Sequence, residues 1–223
     1  VRRTRSEIEK YFADDLKKNK VKFPEIEAPK PFFYELDEEE DKAFTETLRL
    51  LTQEFTYARY TSLLYLRNEL TSFEAQSQRN MGRFMKVLLV KRLESSFHAF
   101  KKSVERFADS YEKFIKMYES GTVYVSKKYS NKIFELIEEG NDEEVQRLID
   151  EEKAERYSSD DFKPEFIDHL RKDLEILQKI ISMWKNIQQD PKLETLINKL
   201  HHHEILKNKE SKIIIFTEST ETA

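Results

Sequence analysis

The chain has no cysteine, three glycines and five prolines in 223 residues. The missing cysteine excludes disulfides, thiol nucleophiles and cysteine-ligated zinc, and makes a cytoplasmic setting the expectation. With glycine only at Gly82, Gly121 and Gly140, no G-x-x-x-x-G-K-[ST] loop exists to cradle a nucleotide phosphate. No apolar run approaches the ~18 residues of a membrane span, and no signal peptide is visible, so a membrane is not an expected partner. Charged residues, in contrast, make up 37% and hydrophobic ones 38%, with sixteen Phe and ten Tyr. Few helix breakers among many Lys, Glu and Leu favour an α-rich fold, and the aromatics argue against disorder.

The densest pattern lies in Arg83 to Tyr118. Phe97, Phe100, Val104, Phe107, Tyr111, Phe114 and Tyr118 are spaced 3, 4, 3, 4, 3 and 4 apart, the repeat of a helix that packs one stripe on a partner. Read as one helix, this stretch would be roughly 54 Å long at 1.5 Å per residue. A second long helix, from Pro164 to about Gln188, repeats the pattern through Ile167, Leu170, Leu174, Leu177, Ile181 and Trp184. The expected fold is therefore mainly α: an elongated helical bundle with two long antiparallel heptad-like helices and short flanking β-strands.

Around this pair, a short helix to Leu16 is expected to precede a proline-rich connector ending in a strand-like FFYEL (residues 32–36). Asp37 and Glu40 fit a capping box opening a helix with Phe44, Leu48, Leu51 and Phe55 on one face, and another helical run covers about Thr56 to Ser77. Thr122 to Ser126 reads as a short strand or extended link. Short helices come next, from Ser130 to Glu139 and from Asn141 or Asp142 to about Ala154. Asp190-Pro191 starts a last helix carrying Leu193, Leu196, Ile197 and Leu200. Lys212 to Thr217 reads as a fully buried strand, and its missing sheet partners suggest a chain cut before the rest of that sheet.

The net charge of −4 is unevenly spread: Arg79 to Arg106 holds eight Lys or Arg against Glu94 and Glu105, for +6, which leaves −10 elsewhere. Such a segment suits phosphate contact, although a solvated helix face is the plainer reading. Arg79, Arg83 and Lys86 stand at i, i+4 and i+7, on one helical face, and Arg2, Arg3 and Arg5 form a second basic cluster. Tyr57, Tyr60 and Tyr65 could stack on bases, though core packing is the commoner use of such rings. No catalytic, cofactor or metal residues emerge. Three adjacent histidines, His201, His202 and His203, point about 100° apart on a helix and cannot all converge on one ion. His98 and His169 read as packing-edge residues. Ser95 and Ser96 near His98 lack an oxyanion turn. The acidic runs at Asp37–Asp41 and Asp142–Glu144 read as helix starts.

Four blocks taken together resemble a known family. Val1 to Ile8 (VRRTRSEI) looks like the arginine-rich segment closing the first ATPase lobe in the SNF2-like branch of superfamily 2 helicases. Phe23 to Glu40 is similar to the stretch next to that segment in these proteins. Leu88 to Phe97 (LLVKRLESSF) resembles a block between the lobes of bacterial members. Asp190 to Leu196 (DPKLETL), with Lys212 to Thr217 (KIIIFT) after it, resembles the entry to the second lobe. The resemblance implies a fragment of an ATP-dependent helicase or translocase, with the end of lobe one and a connector at 1–40, a helical inter-lobe insertion at 41–207 and the start of lobe two at 208–223. ATP and Mg would then belong to the parent protein, whose phosphate loop would lie before Val1 and arginine finger after Ala223. Gln78 to Arg83 only superficially resembles that finger, and the fragment alone is not expected to hydrolyse ATP. Its implied partners are DNA or RNA and the two lobes of its parent chain. The alternative is an α-helical protein–protein scaffold whose heptad stripes dock a partner or a second copy.

Overall fold

The structure, a computed structural model, describes residues 4–21, 23, 28–125, 147, 155–202 and 214–217, and divides into two compact units, 1–33 and 34–223. The first unit contains helices α1 (Arg5–Tyr11) and α2 (Ala13–Lys18) and buries no residue of either. A capping box between Thr4 and Glu7 opens α1. The FFYEL segment forms no strand: Phe32 and Phe33 are exposed, and only Leu36 packs on the core of the second unit.

In the second unit, α3 (Glu38–Arg49) begins at the expected capping box. The Glu40 amide donates to Asp37 Oδ1 at 2.8 Å, and the Asp37 amide donates to Glu40 Oε2 at 2.9 Å. The helix widens into a π-helical turn (Leu50–Glu54), and a 3-10 segment (Ala58–Tyr65) comes after it. The expected helical run from Thr56 to Ser77 is therefore interrupted. Tyr57 adopts a left-handed conformation (φ 59°), and Thr61 departs from helical geometry (φ −121°). Beyond Tyr65 the backbone bonds elsewhere: the Arg67 amide donates to the Asp161 carbonyl and the Lys163 amide to the Tyr65 carbonyl. A capping box of Thr71 and Glu74 then starts a new helix, α4 (Ser72–Ser95).

The long central stretch is two helices. Ser96 is extended (φ −155°, ψ 150°) and separates α4 from α5 (Phe97–Glu119). The break leaves amides without helical partners, and two side chains take them: the Ala99 amide donates to Ser96 Oγ at 3.1 Å and the Phe97 amide to Asp190 Oδ2 at 2.9 Å. The stripe itself is as expected, with Phe97, Phe100, Val104, Phe107, Tyr111 and Phe114 each at most 5% exposed.

Its partner is α6 (Glu165–Trp184), which runs antiparallel to α5: Trp184 packs edge-on to Phe97 and Phe100, and Phe166 does so to Phe114 and Tyr118. The buried seam of α6 is rotated from the expected one. Phe166, Leu170, Asp173, Leu177, Ile180 and Trp184 face inward, leaving Ile167, Leu174 and Ile181 half-buried. A carboxylate stands at the centre of this seam. Asp173 accepts from the Thr56 amide (2.7 Å), Thr56 Oγ1 (3.0 Å), the Ala58 amide (2.9 Å) and the Tyr111 hydroxyl (2.9 Å). The left-handed Tyr57 turns the two flanking amides toward this single acceptor.

Strands β1 (Thr122–Val125) and β2 (Glu155–Ser158) form an antiparallel pair, with Val123 opposite Tyr157. Val123 and Val125 are buried while Tyr124 is exposed, the alternation of a half-buried strand. The expected β1 is thus present, and β2 is an element that the sequence did not announce. The helices expected at 130–139 and 141–154 lie outside the described residues. Helix α7 (Pro191–His202) starts at Asp190 as expected, its Leu193 amide donating to Asp190 Oδ1 at 3.2 Å. The expected buried strand at Lys212 to Thr217 is not found where it is described: residues 214–217 form no strand, and Ile214, Ile215 and Phe216 are exposed. A β-branched run becomes a strand only where another edge supplies its hydrogen bonds, and no described strand pairs with it.

This packing can be tested at two points. Burial pushes the Asp173 carboxyl above its ordinary value, while the bonds from Thr56, Ala58 and Tyr111 act against that. A carboxyl raised in the fold contributes stability that is complete below its unfolded value, about 4, and is lost as pH rises through the folded value. Asp173→Asn should remove that pH dependence and, by turning an amide NH2 toward donors, cost about 3 kcal/mol at neutral pH. Tyr111→Phe should cost about 1–2 kcal/mol alone and clearly less in the Asn background, read by urea unfolding. Separately, a Cβ on Gly82 would lie 2.6 Å from Thr61 Cγ2, and Thr61 is held by its bond to the Tyr57 carbonyl. Gly82→Ala should therefore destabilise by about 1–3 kcal/mol despite alanine's better helix propensity, and adding Thr61→Ser should recover most of that stability.

Candidate nucleic-acid interface

The cations selected from the sequence have unequal fates. Arg2 and Arg3 lie outside the described residues. Arg5, in the first unit, pairs with Glu9 at 2.7 Å and sits over the Phe23 ring. Its charge is already opposed by an i,i+4 partner.

On α4, Arg79 and Arg83 are one turn apart and exposed. Among the described residues neither forms an ion pair. Lys86 differs. Its Nζ donates to the Thr52 carbonyl at 2.9 Å and lies 5.9 Å from the Tyr57 ring centroid, which ties α4 to the middle of the π-helical turn. The expected three-residue basic stripe is thus two outward arginines and one half-buried structural lysine. Phe97 does not continue their face, because the helix ends at Ser95.

The rest of the +6 stretch is also partly internal. Arg92 is 3% exposed. Lys101 donates to the Ile187 carbonyl and is held below its ordinary pKa by burial, and the Arg106 guanidinium donates to Ser103 Oγ at 3.3 Å. Tyr57 and Tyr60 are core residues, and Tyr65 stacks on Phe166 while hydrogen-bonding His169 Nδ1 at 2.8 Å. None of the three rings is available to a base. Burial raises the hydroxyl pKa of Tyr57 and Tyr65, as expected of packed phenols.

His98 and His201 are exposed, and His203 lies outside the described residues. Among the described residues no cluster of three or more His, Asp or Glu side chains could hold a metal, and no helix is long and apolar enough to cross a membrane. Ser96 caps α5, which gives one member of the serine pair a structural role. Two features were not apparent in the sequence. One is the buried Asp173. The other is a clamp at the α4–α5 break, where Asp190 caps Phe97 and Lys192 Nζ donates to the Glu94 carbonyl at 2.9 Å. The Asp190-Pro191 signal announced only the cap of α7, and the bond of its second oxygen to the Phe97 amide had no sequence signal. No known protein family, curated protein or solved structure matches the chain.

The different fates of these cations can be measured as stability. Arg79→Glu and Arg83→Glu should each leave the unfolding free energy within about 0.5 kcal/mol of wild type. Lys86→Met should cost about 1 kcal/mol by removing the bond to Thr52. Equal effects of the three would contradict this division.

Proposed function

We propose that the chain is the helical inter-lobe module of an ATP-dependent SNF2-like helicase or translocase, and that it contacts nucleic acid through the outer face of α4. The observation that carries the contact is the pair Arg79 and Arg83, exposed, one helical turn apart and without acidic partners among the described residues. The translocase setting rests on the order of the four sequence blocks from Val1 to Thr217. In such a machine ATP and Mg act in the parent's lobes, whose closure moves the segment between them. The α5–α6 pair, with its aromatic seam, would serve as the stiff element, and Arg79 and Arg83 would track the phosphate backbone.

The protein-scaffold alternative takes a narrower form. Its docking surface was to be the heptad stripes, and those of α5 and α6 are buried against each other. A protein partner is favoured instead by α7, where Leu193 and Ile197 are 52% and 42% exposed. Sedimentation across a concentration series, with and without DNA, separates the readings: self-association without DNA supports the scaffold.

Binding of labelled DNA or RNA, measured by anisotropy across a salt series, tests the main proposal. Affinity should fall with salt through counterion release, and the double variant Arg79→Glu/Arg83→Glu should bind more weakly. Its log–log salt slope should be shallower by about 1.4–1.8, at ~0.7–0.9 for each phosphate no longer neutralised. Reversal of both charges without change in affinity or slope would remove α4 from the model.

A further inference from the structure

The outward face of α4 carries more than arginine. Phe73, Gln76, Asn80, Arg83 and Val87 succeed one another at 3, 4, 3 and 4 residues, with Arg79 at the edge of the same face. On α5 this spacing marks a buried seam. Here all six residues are exposed, and Phe73 is the most open of the large hydrophobic side chains on the helix, at 68%. Gln76 Nε2 donates to Asn80 Oδ1 at 2.7 Å, which holds two amides side by side between the ring and the arginines. Along the helix Phe73 precedes Arg79 by about 9 Å and Arg83 by about 15 Å. Glu94 is the acidic residue on this face, and it stands at the far end from the ring.

An exposed phenyl ring in line with two arginines that have no acidic partner among the described residues is a combination suited to an unpaired strand. The ring offers a flat surface to a base, and the guanidinium groups neutralise successive phosphates. A duplex cannot use the ring, because its base faces are already stacked inside the helix. Phosphate contacts alone would make the face indifferent to strandedness. The aromatic is what separates the two.

We infer that the α4 face from Phe73 to Val87 is a binding site for single-stranded nucleic acid, with Phe73 stacking on a base and Arg79 and Arg83 contacting the backbone. This rests on the nucleic-acid reading proposed above and adds the strand class and the stacking residue. The Glu74 carboxylate next to the ring is turned back to the Thr71 cap, and the positive charge of Arg79 and Arg83 favours a polyanion over an apolar protein surface. Tyr57, Tyr60 and Tyr65 are engaged in the core, so Phe73 is the aromatic this face has to offer.

The test compares an oligothymidylate of about 20 nucleotides, longer than one ~4–16-nucleotide site, with the same strand paired to oligoadenylate. An oligouridylate arm distinguishes RNA from DNA. Wild-type chain should bind the single strand at least several-fold more tightly than the duplex. Phe73→Ala should weaken single-strand binding about tenfold, toward the lower end for removing one base–aromatic stack. It should leave duplex binding, the salt slope and the melting temperature unchanged. Phe73→Trp should restore single-strand affinity and place an exposed indole whose fluorescence the bound strand quenches, against the buried Trp184. Unchanged single-strand affinity in Phe73→Ala, with Arg79→Glu/Arg83→Glu still weakening it, would overturn this inference and leave the nucleic-acid reading standing. If the arginine reversals also change nothing, both fall. Equal wild-type affinity for the two ligands, or capture of an acidic protein with no strand binding, overturns the single-strand assignment as well.

Discussion

Four hydrogen bonds converge on the Asp173 carboxylate, and the second unit is arranged around them. The groups come from three places far apart in sequence: donors from the turn at Thr56 and Ala58, a donor from the middle of α5 at Tyr111, and the acceptor itself on α6. Bonds to a charged group are worth about 1.5–3 kcal/mol each, and burying a carboxylate costs several kcal/mol. The net stabilisation is therefore small compared with that of the surrounding rings. The carboxylate supplies direction instead. Apolar seams of Phe, Leu and Ile can slide by one turn at little cost, whereas an acceptor that must meet four donors admits one register of α6 on α5. It also requires the left-handed Tyr57, a conformation uncommon for a bulky residue, because only that turn brings both amides to the same acceptor.

A second joint obeys the same logic at the α4–α5 break. A long uninterrupted helix would satisfy its own amides. Once Ser96 leaves helical geometry, Phe97 and Ala99 need acceptors, and the Glu94 carbonyl gains a donor in Lys192. Asp190 divides its oxygens between two helix starts, capping α7 with one and α5 with the other. The buried Trp184 packs on Phe97 beside it and donates its indole N–H to Thr47 Oγ1 at 2.8 Å, so α3 is drawn into the same corner. A stretch that reads as a single rod is thus two rods whose junction is held by the beginning of α7.

How much of this was legible depends on which residues carried the signal. Periodic aromatics announce burial through their number, so the α5 stripe, its antiparallel partner, the Asp37 capping box and the Asp190 cap were all readable. The α6 seam came out rotated because an aspartate at a seam position is indistinguishable in sequence from one on a solvated face. The two apolar series, starting at Phe166 and at Ile167, are nearly equivalent on hydrophobicity alone. The Ser96 break was masked by apolar periodicity on both sides of it. Thr71 with Glu74 was a capping box hidden inside a run that looked helical throughout. β2 escaped because Glu155-Arg-Tyr-Ser158 carries no alternating apolar pattern, and its place comes from pairing with β1. The KIIIFT run shows the converse: its described part, residues 214–217, is exposed and outside any strand, and no described strand pairs with it.

The same distinction governs the candidate site. A count of charges along α4 and α5 describes a sequence, while a partner meets only the groups that reach solvent. Of the eight cations between Arg79 and Arg106, Lys86, Lys101 and Arg106 spend hydrogen bonds on the fold and Arg92 is enclosed. Exposed on α4 are then Arg79, Arg83 and Lys91, of which Arg79 and Arg83 form no ion pair among the described residues. Burial also disqualifies the tyrosines and leaves Phe73, which drew no notice in the sequence because a lone phenylalanine in a helix is ordinarily core. Its exposure cannot be read from spacing, since Phe73 falls on the same 3, 4, 3, 4 ladder that elsewhere in this chain marks the interior. Only the position of α4 against the 3-10 segment, with Gly82 pressed to Thr61, decides which ladder faces inward. Substituting that glycine would disturb the orientation of the candidate face as well as the packing beneath it.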